Sequence, residues 1–197
     1  MTRLRRARAE GERGAALVEF AMVALILILL AAGAYDFGIG WRTGLAVNEG
    51  ARAGARVGSS QGAKVEADFA LLSSAKAALD SSGVLEEVTR VVIYRANGSD
   101  GKVPAVCTNS NAGTCNILSG AQLRALPNSS SGAINSNGCV TNSIRRSWCP
   151  TTRKDVQIEA DYIGVWIQLE HPYTFDLIGD SVTIEREAVM RLEPQES

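Results

Sequence analysis

Residues 13–36 read RGAALVEFAMVALILILLAAGAYD, and between Arg13 and Asp36 the stretch carries one charge, Glu19. At ~1.5 Å rise per residue, a helix over 15–35 is about 30 Å long, the thickness of a bilayer's hydrocarbon core. The fourteen residues before it, MTRLRRARAEGERG, hold five arginines against two glutamates. That asymmetry predicts a cytoplasmic N-terminus, a single span and an extracytoplasmic body. A carboxylate inside a bilayer costs a few kcal/mol and persists where it has a partner or a task. Glu19 is therefore the residue to explain. A glutamate snorkelling toward the interface of an ordinary anchor is the plain alternative.

Working outward, Glu19 stands five residues after Gly14 when Ala15 is counted as the first, and Phe20 follows it. A basic leader ending in glycine, then Ala-Ala-Leu-Val-Glu-Phe and an apolar run, resembles the processing site of Flp-type (type IVc) prepilins and pseudopilins. The resemblance implies cleavage after Gly14 by prepilin peptidase. It also implies a new amine at Ala15, about one helical turn from Glu19. Phe20 stands where the major Flp pilin usually has tyrosine, which fits a minor pseudopilin better. A rival is open. Ala32-Gly33-Ala34 is an A-x-A triplet, so a secretory signal peptidase cutting before Tyr35 is the other processing route.

Beyond the span, Gly38, Gly40, Gly44, Gly50, Gly54 and Gly58 recur with Ala46, Ala51 and Ala55 among them, several four apart. This spacing lets helices approach closely. Residues 36–58 are read as a helix continuing from the membrane and packing on another helix, with a flexible glycine-rich stalk as the alternative. Within it, Asn-Glu-Gly-Ala-Arg-Ala-Gly-Ala-Arg at 48–56 is close to the "AAREGAR"-like helix of TadE-like proteins of the Tad (tight adherence) pilus machinery. Glycine, Val-Glu-Phe, span and Arg/Ala/Gly helix occur in that family's order, and the resemblance covers about 13–57.

The rest divides into patterned and unpatterned stretches. Val65, Phe69, Leu72, Ala75 and Leu79 make a helical stripe over 63–79, and Ser81-Ser82-Gly83 ends it. EVTRVVIYR at 87–95 reads as a strand. Residues 96–154 are rich in Asn, Ser, Gly and Thr, with apolar residues too sparse for a core element beyond one helical turn at 120–126. All four cysteines, Cys107, Cys115, Cys139 and Cys149, lie in this loop. On the outside of a membrane an even number reads as disulfides. Three pairings are possible, and Cys107–Cys115 with Cys139–Cys149 is favoured, each worth about 2.5–3 kcal/mol in the chain-entropy model. A zinc site is the weaker reading, since no Cys-x-x-Cys occurs.

At 155–170 two runs of alternation with opposite phase predict a strand with a bulge near 162–164. Val182, Ile184, Ala188, Met190 and Leu192 form one face of a last strand, with Glu185, Glu187 and Arg191 on the other. The two strands and the turn between them loosely resemble the C-terminal part of TadE-like domains. In that turn Tyr173, Phe175, Leu177 and Ile178 are read as core, or alternatively as a membrane-facing or partner-facing patch.

The expected fold is α+β. Residues 1–14 form a basic leader, 15–35 the span and 36–58 its helical continuation. Residues 59–197 form a small domain with a helix on an antiparallel sheet of three or four strands, and a disulfide-bearing loop at 96–154 projects from it. With 20 basic and 21 acidic residues, net charge −1, no nucleic-acid face is expected. No catalytic, cofactor-binding or metal-binding set is found, and the lone His171 precedes Pro172 in a turn without a nucleophile motif. An enzyme with a small-molecule substrate is not expected. The resemblance implies a minor pseudopilin or membrane component of Tad/Flp pilus assembly, in the cell membrane. Its implied partners are other pilins and pseudopilins, the Tad machinery and prepilin peptidase. The alternative is a secreted or membrane-anchored disulfide-stabilised binding or adhesin domain.

Overall fold

The structure is a computed structural model, and it describes residues 2–177 and 179–194, with side chains from Gly14 onward. Ile178 lies outside the described residues. One helix, α1 (Thr2–Gln61), forms the axis. It ends at Gly62, whose φ of 60° reverses the chain and whose N–H donates to the Gly58 carbonyl. Then follow α2 (Ala67–Ser81), β1 (Val88–Ala96), α3 (Ala105–Asn109), β2 (Cys115–Ser119) and α4 (Gly120–Arg124). β3 (Arg145–Arg146), β4 (Tyr162–Pro172) and β5 (Ser181–Arg191) complete the chain. The fold is α+β, a long apolar N-terminal helix followed by helices and an antiparallel sheet.

α2 starts four residues later than its stripe suggests, and Val65 remains exposed in the preceding turn. It buries Leu71, Leu72, Ala75 and Leu79 against α1 and the sheet. Gly83, with φ 75°, ends it as read. The glycines of α1 are used inside the chain. A Cβ at Gly50 would lie 2.8 Å from Leu79 Cγ, so the two helices meet where only hydrogen fits. Val47, Ala51 and Ala55 of the same helix are fully buried in the core. The outer half of α1 is a packed wall of the domain rather than a loose stalk.

The sheet has five strands in the order β3-β2-β1-β4-β5, one or two more than expected. The additional strands come from the long loop. Asn116 to Ile117 pair with Arg146 and Arg145, and Arg90 to Tyr94 pair with Ser119 to Cys115. This loop therefore does not project. Its first part folds over the sheet face opposite the helices, where Cys107, Cys115 and Val103 pack with Val92, Tyr94, Ile117 and Trp166. β1 is buried on both faces as a result. Val91 and Ile93 face the helices, while Val92 and Tyr94 face the loop.

Two further expectations are corrected. The alternation of Val156, Ile158 and Ala160 is not a strand: Ile158 is 93% exposed. Residues 155–160 form a loop closed by hydrogen bonds between Lys154 and Asp161, in both directions. With no partner strand, alternation alone buries nothing. The bulge near 162–164 is likewise absent, because β4 and β5 run in unbroken register from Tyr162↔Arg191 to Pro172↔Ser181. The irregularity in the sheet lies instead in β1, between Val88 and Arg90.

Candidate membrane anchor and docking turn

The inner half of α1 has no protein around it. Its most apolar window has none of its residues buried, and from Gly14 to Gln61 α1 is the one helix, among the described residues, long and apolar enough to cross a membrane. Leu17, Phe20, Leu25, Ile28 and Leu30 all lie open. Such a surface is stable in water only if covered, and lipid covers it at no cost in backbone hydrogen bonds. Glu19 shares that surface. Among the described residues it makes no hydrogen bond or ion pair, and it lies one turn from Ala15 on the same helical face. Gly14, Ala15 and Phe20 continue the helix, with nothing within 4 Å of a Cβ at Gly14.

Where the apolar run ends, the domain reaches down to it. Asp36 is buried, and its carboxylate accepts two successive backbone N–H groups, Thr174 at 3.0 Å and Phe175 at 3.2 Å. The Tyr35 ring meets Phe175 edge-on, 5.8 Å between centroids. These contacts pin the β4–β5 turn to the first residues beyond the span. Phe175 and Leu177 are not core but 51% and 46% exposed, which overturns the core reading for these two, while Tyr173 is half-buried. Asp36 went unrecognised in the sequence. Its one signal was an unexplained carboxylate at the end of an apolar run.

At the far end, the head is braced by covalent and ionic contacts. Cys107 is bonded to Cys115 and Cys139 to Cys149. Beside the second bridge, Asp68 on α2 pairs with Arg153, both fully buried. Asn116 Nδ2 donates to Asp68 at 2.7 Å and to the Trp148 carbonyl at 2.8 Å, while Arg153 lies 4.4 Å over the Trp148 ring. Burial pushes the Asp68 carboxyl above its ordinary value, opposed by Arg153 and Asn116. The cluster ties α2 to β2 and to the loop after β3. No spacing in the sequence marks it, because its members lie 48 and 85 residues apart. His171 Nδ1 sits 2.9 Å from a Glu87 carboxylate oxygen. Among the described residues no group of three or more His, Cys, Asp or Glu is placed to hold a metal ion.

Helix, pinned turn and braced head define a class: a domain carried on a single apolar helix suited to membrane anchoring. Residues 14–56 match the family model described as TadE-like protein. That match covers 43 of the 197 residues, from Gly14 through the Arg/Ala/Gly helix, and falls on the stretch whose features resemble TadE-like proteins. No curated protein and no solved structure matches the chain.

Proposed function

We propose that this protein is a minor pseudopilin, or a membrane component, of Tad/Flp pilus assembly. The TadE-like match supports involvement in the Tad pilus system and association with its membrane machinery. One observation carries the finer reading. The matched segment, 14–56, takes in both the part of α1 that is bare of protein and bears Glu19 and the part, with Val47, Ala51 and Ala55, that is built into the head. Such a subunit offers its neighbours a helix and keeps its domain intact.

The arginine-rich leader lies in the cytoplasm, residues 15–35 span the membrane, and the head from about residue 59 is extracytoplasmic. Prepilin peptidase cuts after Gly14. The Ala15 amine and the Glu19 carboxylate then fall on one face, within one subunit or between neighbours, and their attraction in a low-dielectric phase sets the register of packed helices. The partners are the Flp pilin, other minor pseudopilins and the Tad machinery.

The test is to replace Glu19 by alanine in the strain that carries the protein, then count surface pili and quantify the protein in membranes. Unchanged membrane levels with pili reduced about tenfold or more are expected for loss of a buried charge pair. Normal piliation with Glu19→Ala would remove the assembly role assigned to this residue.

A further inference from the structure

The β4–β5 turn bears an apolar surface that the fold does not use. Phe175 and Leu177 are open, whereas the large apolar residues of the neighbouring strands are buried or half-buried. The two hydrogen bonds donated by Thr174 and Phe175 N–H to Asp36, with the Tyr35–Phe175 contact, hold this surface at a fixed height on α1. That height is where a span of 15–35 leaves the hydrocarbon. From Tyr35 to Trp41 the helix rises about 9 Å, slightly more than the roughly 5–7.5 Å of one headgroup layer. Within that rise α1 exposes Phe37 and Trp41, 71% and 65% open, with their rings 6.4 Å apart. Two chain segments far apart in sequence thus place Phe175 beside Tyr35, with Phe37 and Trp41 within about 9 Å above it along the helix. Aromatic residues at such a level are the mark of a membrane–water interface.

Charge decides the kind of lipid contact. Residues 173–180, YTFDLIGD, contain two aspartates and no lysine or arginine. The turn itself offers anionic lipid no positive charge, so its own contact rests on burial of apolar side chains.

We infer that the β4–β5 turn is a second membrane contact. Phe175 and Leu177 seat in the interfacial layer of the bilayer that holds α1 and fix the tilt and rotation of the head above it. The inference rests on the membrane-spanning reading of 15–35. The surface that takes the turn is zwitterionic lipid, not a second protein.

The full chain, reconstituted in phosphatidylcholine bilayers, carries a nitroxide on one introduced cysteine at a time. The variants are Leu177→Cys in the turn, Leu25→Cys in the span, and Ser99→Cys in the exposed loop at the opposite end of the sheet. Collision with oxygen and with a water-soluble nickel chelate reads depth. The nickel chelate should reach position 177 about threefold less than position 99, and position 25 least of all, as interfacial and hydrocarbon depths require. Equal access at 177 and 99, with 25 protected, would overturn the inference and keep the span. Access at 25 as well would overturn the span itself. Protection at 177 with dipolar broadening that vanishes on dilution with unlabelled protein would assign the turn to a second copy, and equally overturn the lipid contact.

Discussion

Tyr94 lies fully buried on the loop-covered face of the sheet, its hydroxyl 3.1 Å from both the Gly101 carbonyl and a Glu187 carboxylate oxygen. Glu187 also accepts the Val103 N–H at 2.9 Å, so one carboxylate fastens the loop and the tyrosine together. The ring fits because Gly164 lies beneath it: a Cβ there would come within 2.2 Å of the ring. Burial first, and the Glu187 charge second, push the phenol well above its ordinary value. The folded protein therefore keeps a proton that the unfolded chain releases near pH 10. Above that pH the unfolded state binds fewer protons than the native one, so stability falls as pH rises. Tyr94→Phe should be less stable by about 1 kcal/mol at neutral pH, for one hydrogen bond lost. The gap should shrink by about 1.4 kcal/mol for each pH unit above 10, closing or reversing near pH 11. Thermal midpoints of both proteins in detergent, at about pH 8 and about pH 11, check this. A gap that does not change with pH would show that Tyr94 ionises freely.

Among the elements, α1 joins two environments, and its glycines separate them. Gly50 meets Leu79, which is fully buried and cannot retreat, so Gly50→Ala should cost about 1–3 kcal/mol through overpacking. Gly38 has nothing within 4 Å, and Gly38→Ala should be neutral or gain up to about 1 kcal/mol from helix propensity. Thermal unfolding followed by circular dichroism separates the two, and equal effects would contradict the packing of α1 on α2. Elements with a strong local period were legible in sequence: the span, α2, β1 and the apolar face of β5. β2 was not, because Cys115-Asn-Ile-Leu-Ser119 is five residues long with polar residues at two of them. Its burial is conferred by β1 on one side and by the Asp68–Arg153 cluster around Asn116. The false strand at 155–160 failed for the converse reason, a period with no partner. The turn at 173–177 was apolar without being core, a distinction that depends on where Asp36 holds it.

As a whole molecule the chain is a head whose core includes the second half of its own long apolar helix. Val47, Ala51 and Ala55 pack with α2 and the sheet, so the helix that carries the apolar run continues unbroken into the core of the head. Under the proposed membrane-spanning role, such continuity would tie the helix in the membrane to the head, as a component that registers or caps a growing filament requires. The secreted reading makes a different molecule. A cut before Tyr35 would discard the bare half of α1 and leave Asp36, with the turn it holds, at the second residue of a free domain. The two accounts differ in the first residue of the mature chain. The most direct measurement is therefore the intact mass and N-terminal sequence of the protein extracted from its native membrane. A start at Ala15 is the result expected here; a start at Tyr35 or at Met1 would contradict processing after Gly14.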